Sequence, residues 1–264
     1  MKITFVDVET TGLLRDPDAR IVEIAISSWE DGKSLERCSS LIRGAEAISP
    51  DITRINGITA EMIREAPSFE EYWKEKRKLF VDAMVIAHNL SFDMGMINRE
   101  LIRSGRIPLG NRGIDTVPMA RKFLPNMKNY RLGEIAKECG VINESPHRAL
   151  GDLEALEKIV SKMLETSPPL FDSGILALFC QWGAYSSHRY FRDVAMLGFE
   201  RQIPLELTIS PGGRLDRGES ISIRPTRVHA VGLSGEGTEG IKDYPFDSLV
   251  EIGVRGHEPG SVLP

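Results

Sequence analysis

The chain has few cysteines and no long apolar run. Cys38, Cys139 and Cys180 are the only three cysteines among 264 residues, and they lie far apart. An odd number at this spacing excludes a disulfide framework and a paired-cysteine metal site, so we expect reduced core residues. The first apolar stretch, Ile3–Val6, is interrupted by Asp7, and no later run approaches about 18 apolar residues. We therefore expect no signal peptide, no membrane span and a cytoplasmic location.

A strong excess of charge is also missing. The chain has 33 Lys and Arg against 38 Asp and Glu, and this net charge of -5 argues against non-specific coating of nucleic acid. A local cluster of basic residues is compatible with that total, and we expect such a basic track between residues 99 and 131. The track either follows the phosphate backbone of a nucleic acid or is a solvent-exposed helical face. Its basic members are Arg99, Arg103, Arg106, Arg112, Arg121, Lys122, Lys128 and Arg131.

Two adjacent prolines divide the sequence. Pro168 and Pro169 follow a long helical pattern that ends near Glu165, which is typical of a linker. The second part contains 13 of the 24 glycines and a single lysine, Lys242. We predict an α/β domain over residues 1–166 and a smaller β-rich domain over residues 167–264. The latter should contain a short buried helix near Leu176–Trp182, followed by strands that could close into a small barrel.

The first part shows strands followed by alternating strands and helices. We predict strands at Ile3–Val8, Ile21–Trp29, Leu35–Arg43 and Met84–Ala87. Helical patterns cover residues 70–81, 91–104, 116–123, 132–139 and 149–164. This order indicates a mixed sheet with helices packed against it.

Four acidic residues occupy positions where a charge is costly unless something positive lies nearby. The strand period of two places Asp7 and Glu9 on one side of the first strand. Asp93 lies just inside a helix that follows a buried strand, and Asp152 lies at the margin of the apolar stripe of the last helix. His147 precedes Asp152 by five residues, at the helix entrance. Each of these residues, considered alone, also has a purely structural explanation, because acidic residues and histidines are common at strand ends, in the first turn of helices and as helix caps.

These residues belong to three motifs that occur in order. The motifs are Asp7–Gly12 (DVETTG), His88–Asp93 (HNLSFD) and His147–Asp152 (HRALGD). They resemble the motifs of the proofreading-type 3′-to-5′ exonucleases of the DEDD superfamily, His subclass. The segments Ile55–Thr59 and Tyr130–Ala136 resemble the connecting segments of that family. The resemblance covers about residues 1–165 and implies the ribonuclease H-like fold, a mixed sheet flanked by helices.

The resemblance also implies a chemistry. Asp7, Glu9, Asp93 and Asp152 would bind two divalent cations, Mg²⁺ or Mn²⁺, which prefer oxygen ligands. Such a pair of ions supports phosphodiester hydrolysis, with Asp7 bridging the two ions and His147 as the general base. The implied reaction is hydrolysis at the 3′ end of single-stranded nucleic acid, DNA in preference to RNA, with release of nucleoside 5′-monophosphates.

Substrate and partner contacts follow from the same resemblance. The residues expected to contact the terminal nucleotide are Thr10, Thr11, Ile58, His88 and Phe92. Asn56 stands where relatives often have His, which leaves the base and sugar contacts open. The implied partners are a single-stranded 3′ end and a polymerase or another replication or repair protein, with no membrane.

Three alternatives stay open at this point. The first is an oligoribonuclease or another 3′-to-5′ enzyme that trims RNA, because the catalytic residue types are the same. The second, from another class, is a catalytically silent protein that binds nucleic acid or senses a ligand on a nuclease scaffold. A haloacid-dehalogenase-like phosphatase also has paired acids after its first strand, but Glu9 is the wrong second acid for it.

Overall fold

A computed structural model describes residues 2–165, 180–181, 187–209, 219–229, 232–246, 249–254, 256–258 and 260–261. The chain forms two compact units, one of residues 1–100 and 111–184 and the other of residues 101–110 and 185–264. Within the described ranges, no helix is long and apolar enough to cross a membrane. The predicted linker at 166–169 and most of the predicted helix near 176–182 lie outside the described residues. The predicted boundary at residue 166 stays a prediction.

The first unit contains a six-stranded mixed sheet. Its strands are β1 (Lys2–Thr10), β2 (Ile21–Glu30), β3 (Lys33–Leu41), β4 (Ala83–Ala87), β5 (Gly113–Asp115) and β6 (Cys180–Gln181), in the order β3-β2-β1-β4-β5-β6. The pairs β1–β2 and β2–β3 are antiparallel, whereas β4 is parallel to both β1 and β5. The mixed sheet is therefore confirmed. Cys180–Gln181 pairs with β5, so these two residues are a strand and not the predicted helix.

Helices flank this sheet. They are α1 (Pro50–Asn56), α2 (Ala60–Arg64), α3 (Phe69–Lys76), α4 (Leu90–Arg103), α5 (Thr116–Phe123), α6 (Leu132–Glu138) and α7 (Ala149–Glu165). The helix predicted over 70–81 ends at Lys76, and a single 3₁₀ turn, Arg77–Leu79, follows it. The short helices α1 and α2 were not predicted, although the Ser49 and Thr59 hydroxyls accept amide hydrogens at their N-termini as capping residues do.

The last helix brings its N-terminus to the sheet. Helix α7 packs against β1 and β2, and Leu153, Leu156 and Val160 are buried there as the apolar period predicts. Strand β2 is buried along almost its whole length. Side chains an odd number of positions apart on a strand point to opposite faces of the sheet. On one face of β2, Ala25 packs with residues of α7, and on the other face Val22 packs in a separate apolar cluster with Ile58 and Ile63. Both faces of β2 are therefore covered. Packing on this sheet therefore fixes where the first turn of α7 lies.

The second unit contains a five-stranded antiparallel sheet. Its elements are α8 (Ser187–Arg201), β7 (Leu205–Ile209), β8 (Glu219–His229), β9 (Gly232–Gly237), β10 (Gly240–Pro245) and β11 (Leu249–Val254), and the strand order is β10-β9-β8-β7-β11. Helix α8 packs on β8 and β11. The ring of its Phe191 lies 6.4 Å from the ring of Phe246, the residue after β10. The β-rich character is confirmed. The described strands leave β10 and β11 at the sheet edges, and closure into a barrel stays a prediction.

Candidate active site

Three carboxylates meet at the end of β1. One oxygen each of Asp7, Glu9 and Asp152 lies within 4.8 Å of the others, which is close enough to hold one metal ion. Asp7 and Glu9 alternate along β1, and Asp152 comes from the first turn of α7, which packs on that strand. The structure thus brings together acids from the first and third motifs, which lie more than 140 residues apart in the sequence.

The fourth acid is fixed to the same strand. Asp93 lies in the first turn of α4, is only 3% exposed, and its Oδ1 accepts a hydrogen bond of 3.1 Å from the Val8 amide. Val8 lies between Asp7 and Glu9, and the Asp93 charge raises the pKa of Asp7. Asp93 is therefore beside Asp7, although it is not one of the three acids that share a single ion position.

Burial and mutual repulsion make the cluster difficult to ionise. The pKa of Asp7 is raised well above its ordinary value, first by burial and then by the charges of Asp93, Asp152 and Glu9. Burial also raises the pKa of Glu9 to about 7, against a smaller opposing effect of the Asn56 amide. The pKa values of Asp93 and Asp152 are raised as well, in both cases chiefly by burial. A bound cation would reverse these shifts, because it stabilises the ionised carboxylates.

Two asparagines orient the carboxylates. Asn56 Nδ2 donates to Glu9 Oε2 at 3.3 Å, and Asn56 Oδ1 accepts the Ile58 amide at 3.0 Å. Asn143 Nδ2 donates to Asp152 Oδ1 at 2.5 Å. Sequence reasoning missed Asn143, which lies in an irregular loop and belongs to none of the three motifs.

His147 lies two residues before α7, as its spacing predicts. Its backbone N–H donates to Asp152 Oδ2 at 3.2 Å, and the His147 charge lowers the pKa of Asp152. The residue is exposed and its φ is 61°, in the left-handed region that non-glycine residues rarely adopt. The imidazole is thus accessible to solvent beside the carboxylates, while its backbone is tied to one of them.

The two threonines after the first motif's acids close a turn. Thr10 Oγ1 donates to the Gly12 carbonyl at 2.7 Å, and Thr11 Oγ1 accepts the Arg20 amide at 2.9 Å. The Thr11 amide in turn donates to the Arg20 carbonyl. Both hydroxyls therefore stabilise the loop that follows β1, and their contact with a nucleotide stays a prediction.

The other three expected substrate residues differ in exposure. Phe92 is half-buried at the start of α4. His88 is half-buried too, with Nδ1 2.9 Å from Thr116 Oγ1, and burial lowers the pKa of its imidazole. Ile58 has no exposed surface and packs with Val22 and Ile63. Contact of Ile58 with a nucleobase stays a prediction, and in this structure the Ile58 side chain lies in the apolar core.

The basic track predicted over residues 99–131 is not one continuous surface. Arg99 donates to the backbone carbonyls of Leu14 and Asp16, so it anchors a loop. Arg106 is 6% exposed, which removes it from any contact with a phosphate chain. Charge counting along the sequence does not detect such burial. The members that are exposed in and after α5 form what we call the basic surface: Arg121, Lys122, Lys128 and Arg131.

Comparison with known proteins identifies the family and the fold. A family model described as an exonuclease, of the RNase T type, matches residues 4–160. The chain belongs to this exonuclease family. It is 36% identical over 159 residues to the PolC-type DNA polymerase III of Bacillus cereus and 35% identical over 153 residues to that of Pediococcus pentosaceus. These matches span 60% and 58% of this chain but 11% of each polymerase.

Solved structures agree with this assignment. Exonuclease X in complex with 5′ overhanging duplex DNA is 27% identical, with a TM-score of 0.50 over 62% of this chain and 92% of that one. The nuclease domain of 3′hExo, a DEDDh family member bound to rAMP, shares the fold with a TM-score of 0.55 at 16% identity, over 63% of this chain and 92% of that one. The ribonuclease H-like fold and the resemblance to the DEDD exonucleases are confirmed.

The repulsion between the acids predicts the behaviour of Asp7→Asn. In the absence of metal, the variant should melt at a higher temperature than the wild-type protein, because it removes one negative charge from a half-buried cluster of acids that repel one another. The difference should grow as pH rises above 3.8, the ordinary value from which the pKa of Asp7 is raised, because the unfolded chain ionises before the folded one. Scanning calorimetry in a chelator checks this, with Asp18→Asn at an exposed site as the control.

Addition of Mn²⁺ should raise the melting temperature of the wild-type protein and of the control, but not that of Asp7→Asn. Equal stabilisation of Asp7→Asn by Mn²⁺ would contradict the assignment of Asp7 as a ligand.

Proposed function

We propose that the chain is a 3′-to-5′ exonuclease that removes nucleoside 5′-monophosphates from single-stranded nucleic acid with the help of two divalent cations. The observation that carries the proposal is the convergence of Asp7, Glu9 and Asp152 within 4.8 Å, with Asp93 buried beside them. Such a concentration of negative charge on half-buried and buried side chains is costly to the fold, and it has a chemical use if cations bind there.

The donor set fits Mg²⁺ or Mn²⁺. The grouped ligand atoms are all carboxylate oxygens, which hard cations prefer. Asp7, Glu9 and Asp152 would hold one ion, and Asp7 with Asp93 would hold the second. When bound, the ions would supply activation of water and stabilisation of the charge that develops on the phosphate. Asn56 and Asn143 would keep Glu9 and Asp152 in their orientations.

His147 is suited to the role of general base. The imidazole of a histidine can accept a proton from an attacking water and release it again near neutral pH. The side chain is exposed, as an enzyme that admits its substrate from solvent requires. The hydrogen bond from its amide to Asp152 holds the histidine beside the acids during the reaction.

The basic surface supports a nucleic acid as the substrate. Arg121 stacks over the ring of Tyr130 at 4.6 Å, and the backbone of Tyr130 hydrogen-bonds with His88 of the second motif. The surface therefore starts beside a motif of the active site. Exposed Arg and Lys side chains with an aromatic ring between them are typical of surfaces that bind single strands.

The similarity to PolC-type DNA polymerase III favours DNA over RNA and a replication polymerase or repair protein as a partner. RNA trimming and catalytically silent binding are the competing functions. A direct assay separates the three, with matched single-stranded DNA and RNA oligonucleotides labelled at the 5′ end and incubated in Mn²⁺ or in a chelator.

The expected result is a ladder of DNA products that shorten from the 3′ end. The products should form in Mn²⁺ and not in the chelator, and the rate of cleavage should fall as the salt concentration rises. Asp7→Asn is the inactive control. Faster digestion of RNA would favour the trimming function, and strand binding without any product would favour the silent scaffold.

His147→Ala tests the role of the histidine. The variant should lose about 10²- to 10⁴-fold in the rate of the chemical step, the usual contribution of a positioned proton acceptor. The difference in rate between the variant and the wild type should become smaller as pH rises, because hydroxide becomes more abundant and can attack without a general base. Single-turnover cleavage between about pH 6 and pH 9 measures this. Glu144→Ala, an exposed change in the same loop, should keep the wild-type profile. Parallel profiles for His147→Ala and wild type would refute the role as base.

A further inference from the structure

A buried carboxylate on β2 is bonded to the residues that follow His147. Arg148 Nη2 donates to Glu23 Oε1 at 2.7 Å, and Arg148 Nε donates to Glu23 Oε2 at 3.0 Å. The Ala149 amide also donates to Glu23 Oε2 at 3.0 Å. The Glu23 side chain is 5% exposed, against 40% for Arg148. A planar guanidinium held by both oxygens of a buried carboxylate has a fixed direction, so this contact sets the path of the backbone at the start of α7.

This contact has an electrostatic cost. Glu23 pairs in register with Glu9 across β1 and β2, which places a fifth acid at the end of the sheet that holds the cluster. The Glu23 charge raises the pKa of Glu9, and the Arg148 charge lowers it. Arg148 therefore compensates the additional acid, and its removal would leave the buried charge of Glu23 unpaired.

His147 lies between two anchored points. The amide of His147 donates a hydrogen bond to Asp152. The next two residues, Arg148 and Ala149, donate hydrogen bonds to Glu23. On the preceding side, the loop approaches α7 so closely that a Cβ on Gly151 would lie 2.3 Å from the Ser145 carbonyl oxygen. A left-handed φ in a non-glycine residue is a strained backbone conformation, so these contacts must hold the backbone of His147 in place.

We propose that Glu23 is a positioning residue for His147 and acts through Arg148 and the Ala149 amide. It holds the loop so that the exposed imidazole faces the attacking water beside Asp152. This inference rests on the proposed function. It makes β2, which carries none of the three motifs, part of the catalytic apparatus.

A double-mutant cycle tests the inference. Glu23→Gln keeps the shape of the side chain but removes the charge that orients Arg148. At saturating Mn²⁺, kcat should fall about 10- to 100-fold with little change in KM, because the histidine is misplaced while substrate binding is kept. In a His147→Ala background, the same change should produce no further loss in kcat. Arg148→Lys, which keeps the charge but not the two-pronged contact, should lie between the wild type and Glu23→Gln.

A matched control comes from the same helix. Glu157 on α7 pairs with Arg37 of β3 and accepts the Trp29 indole N–H at 2.8 Å, so it also ties α7 to the sheet. Glu157→Gln should lower the melting temperature and leave kcat and its pH profile unchanged. A merely structural role for Glu23 would give the same result as this control.

Amide hydrogen exchange gives a readout that does not depend on activity. Exchange at His147 and Ala149 should be faster in Glu23→Gln than in the wild type, and unchanged there in Glu157→Gln. Losses of kcat that add in the double variant would overturn the inference, as would unchanged exchange at the two amides. If the wild-type protein hydrolyses no strand, the proposed function fails, and the exchange data alone decide whether Glu23 holds the loop.

Discussion

Repulsion among the carboxylates at the end of β1 is the constraint on which the first unit depends. Asp7, Glu9 and Asp152 lie within 4.8 Å of one another, and all three are half-buried, so water screens their charges less than it would at the surface. Large apolar contacts along α7 compensate this cost, and amide donors from Asn56 and Asn143 relieve part of it. The fold thus places these mutually repelling charges on β1 and α7, which pack against each other, and a bound cation would convert that cost into affinity.

Local patterns predict most of the elements that carry the site. The period of two along β1 and the helical period of α7 place three of the acids correctly, because both signals arise within a few neighbouring residues. Contacts across the sheet are different. Glu23 and Arg148 are 125 positions apart, and neither residue has a local reason to be charged. Their pairing emerges only when β2 and the start of α7 are brought together.

The second unit shows a similar limit. Its glycine-rich composition predicts strands, and the antiparallel sheet confirms them. The same unit includes residues 101–110, which begin in the last turn of α4. Ile107 donates its amide to the Ser261 carbonyl at 3.0 Å and accepts the Gly260 amide at 2.8 Å. Composition gives no sign of hydrogen bonds between segments so distant in the chain.

Titration calorimetry of the metal-free chain with Mn²⁺ tests the central claim most directly. It should be run near pH 6.5 in two buffers that differ in heat of ionisation. The pKa of Glu9 is raised to about 7 without metal, so cation binding should drive protons off the cluster and make the measured heat depend on the buffer. Binding with the same heat in both buffers, or the absence of binding, would contradict a carboxylate cluster that cations neutralise.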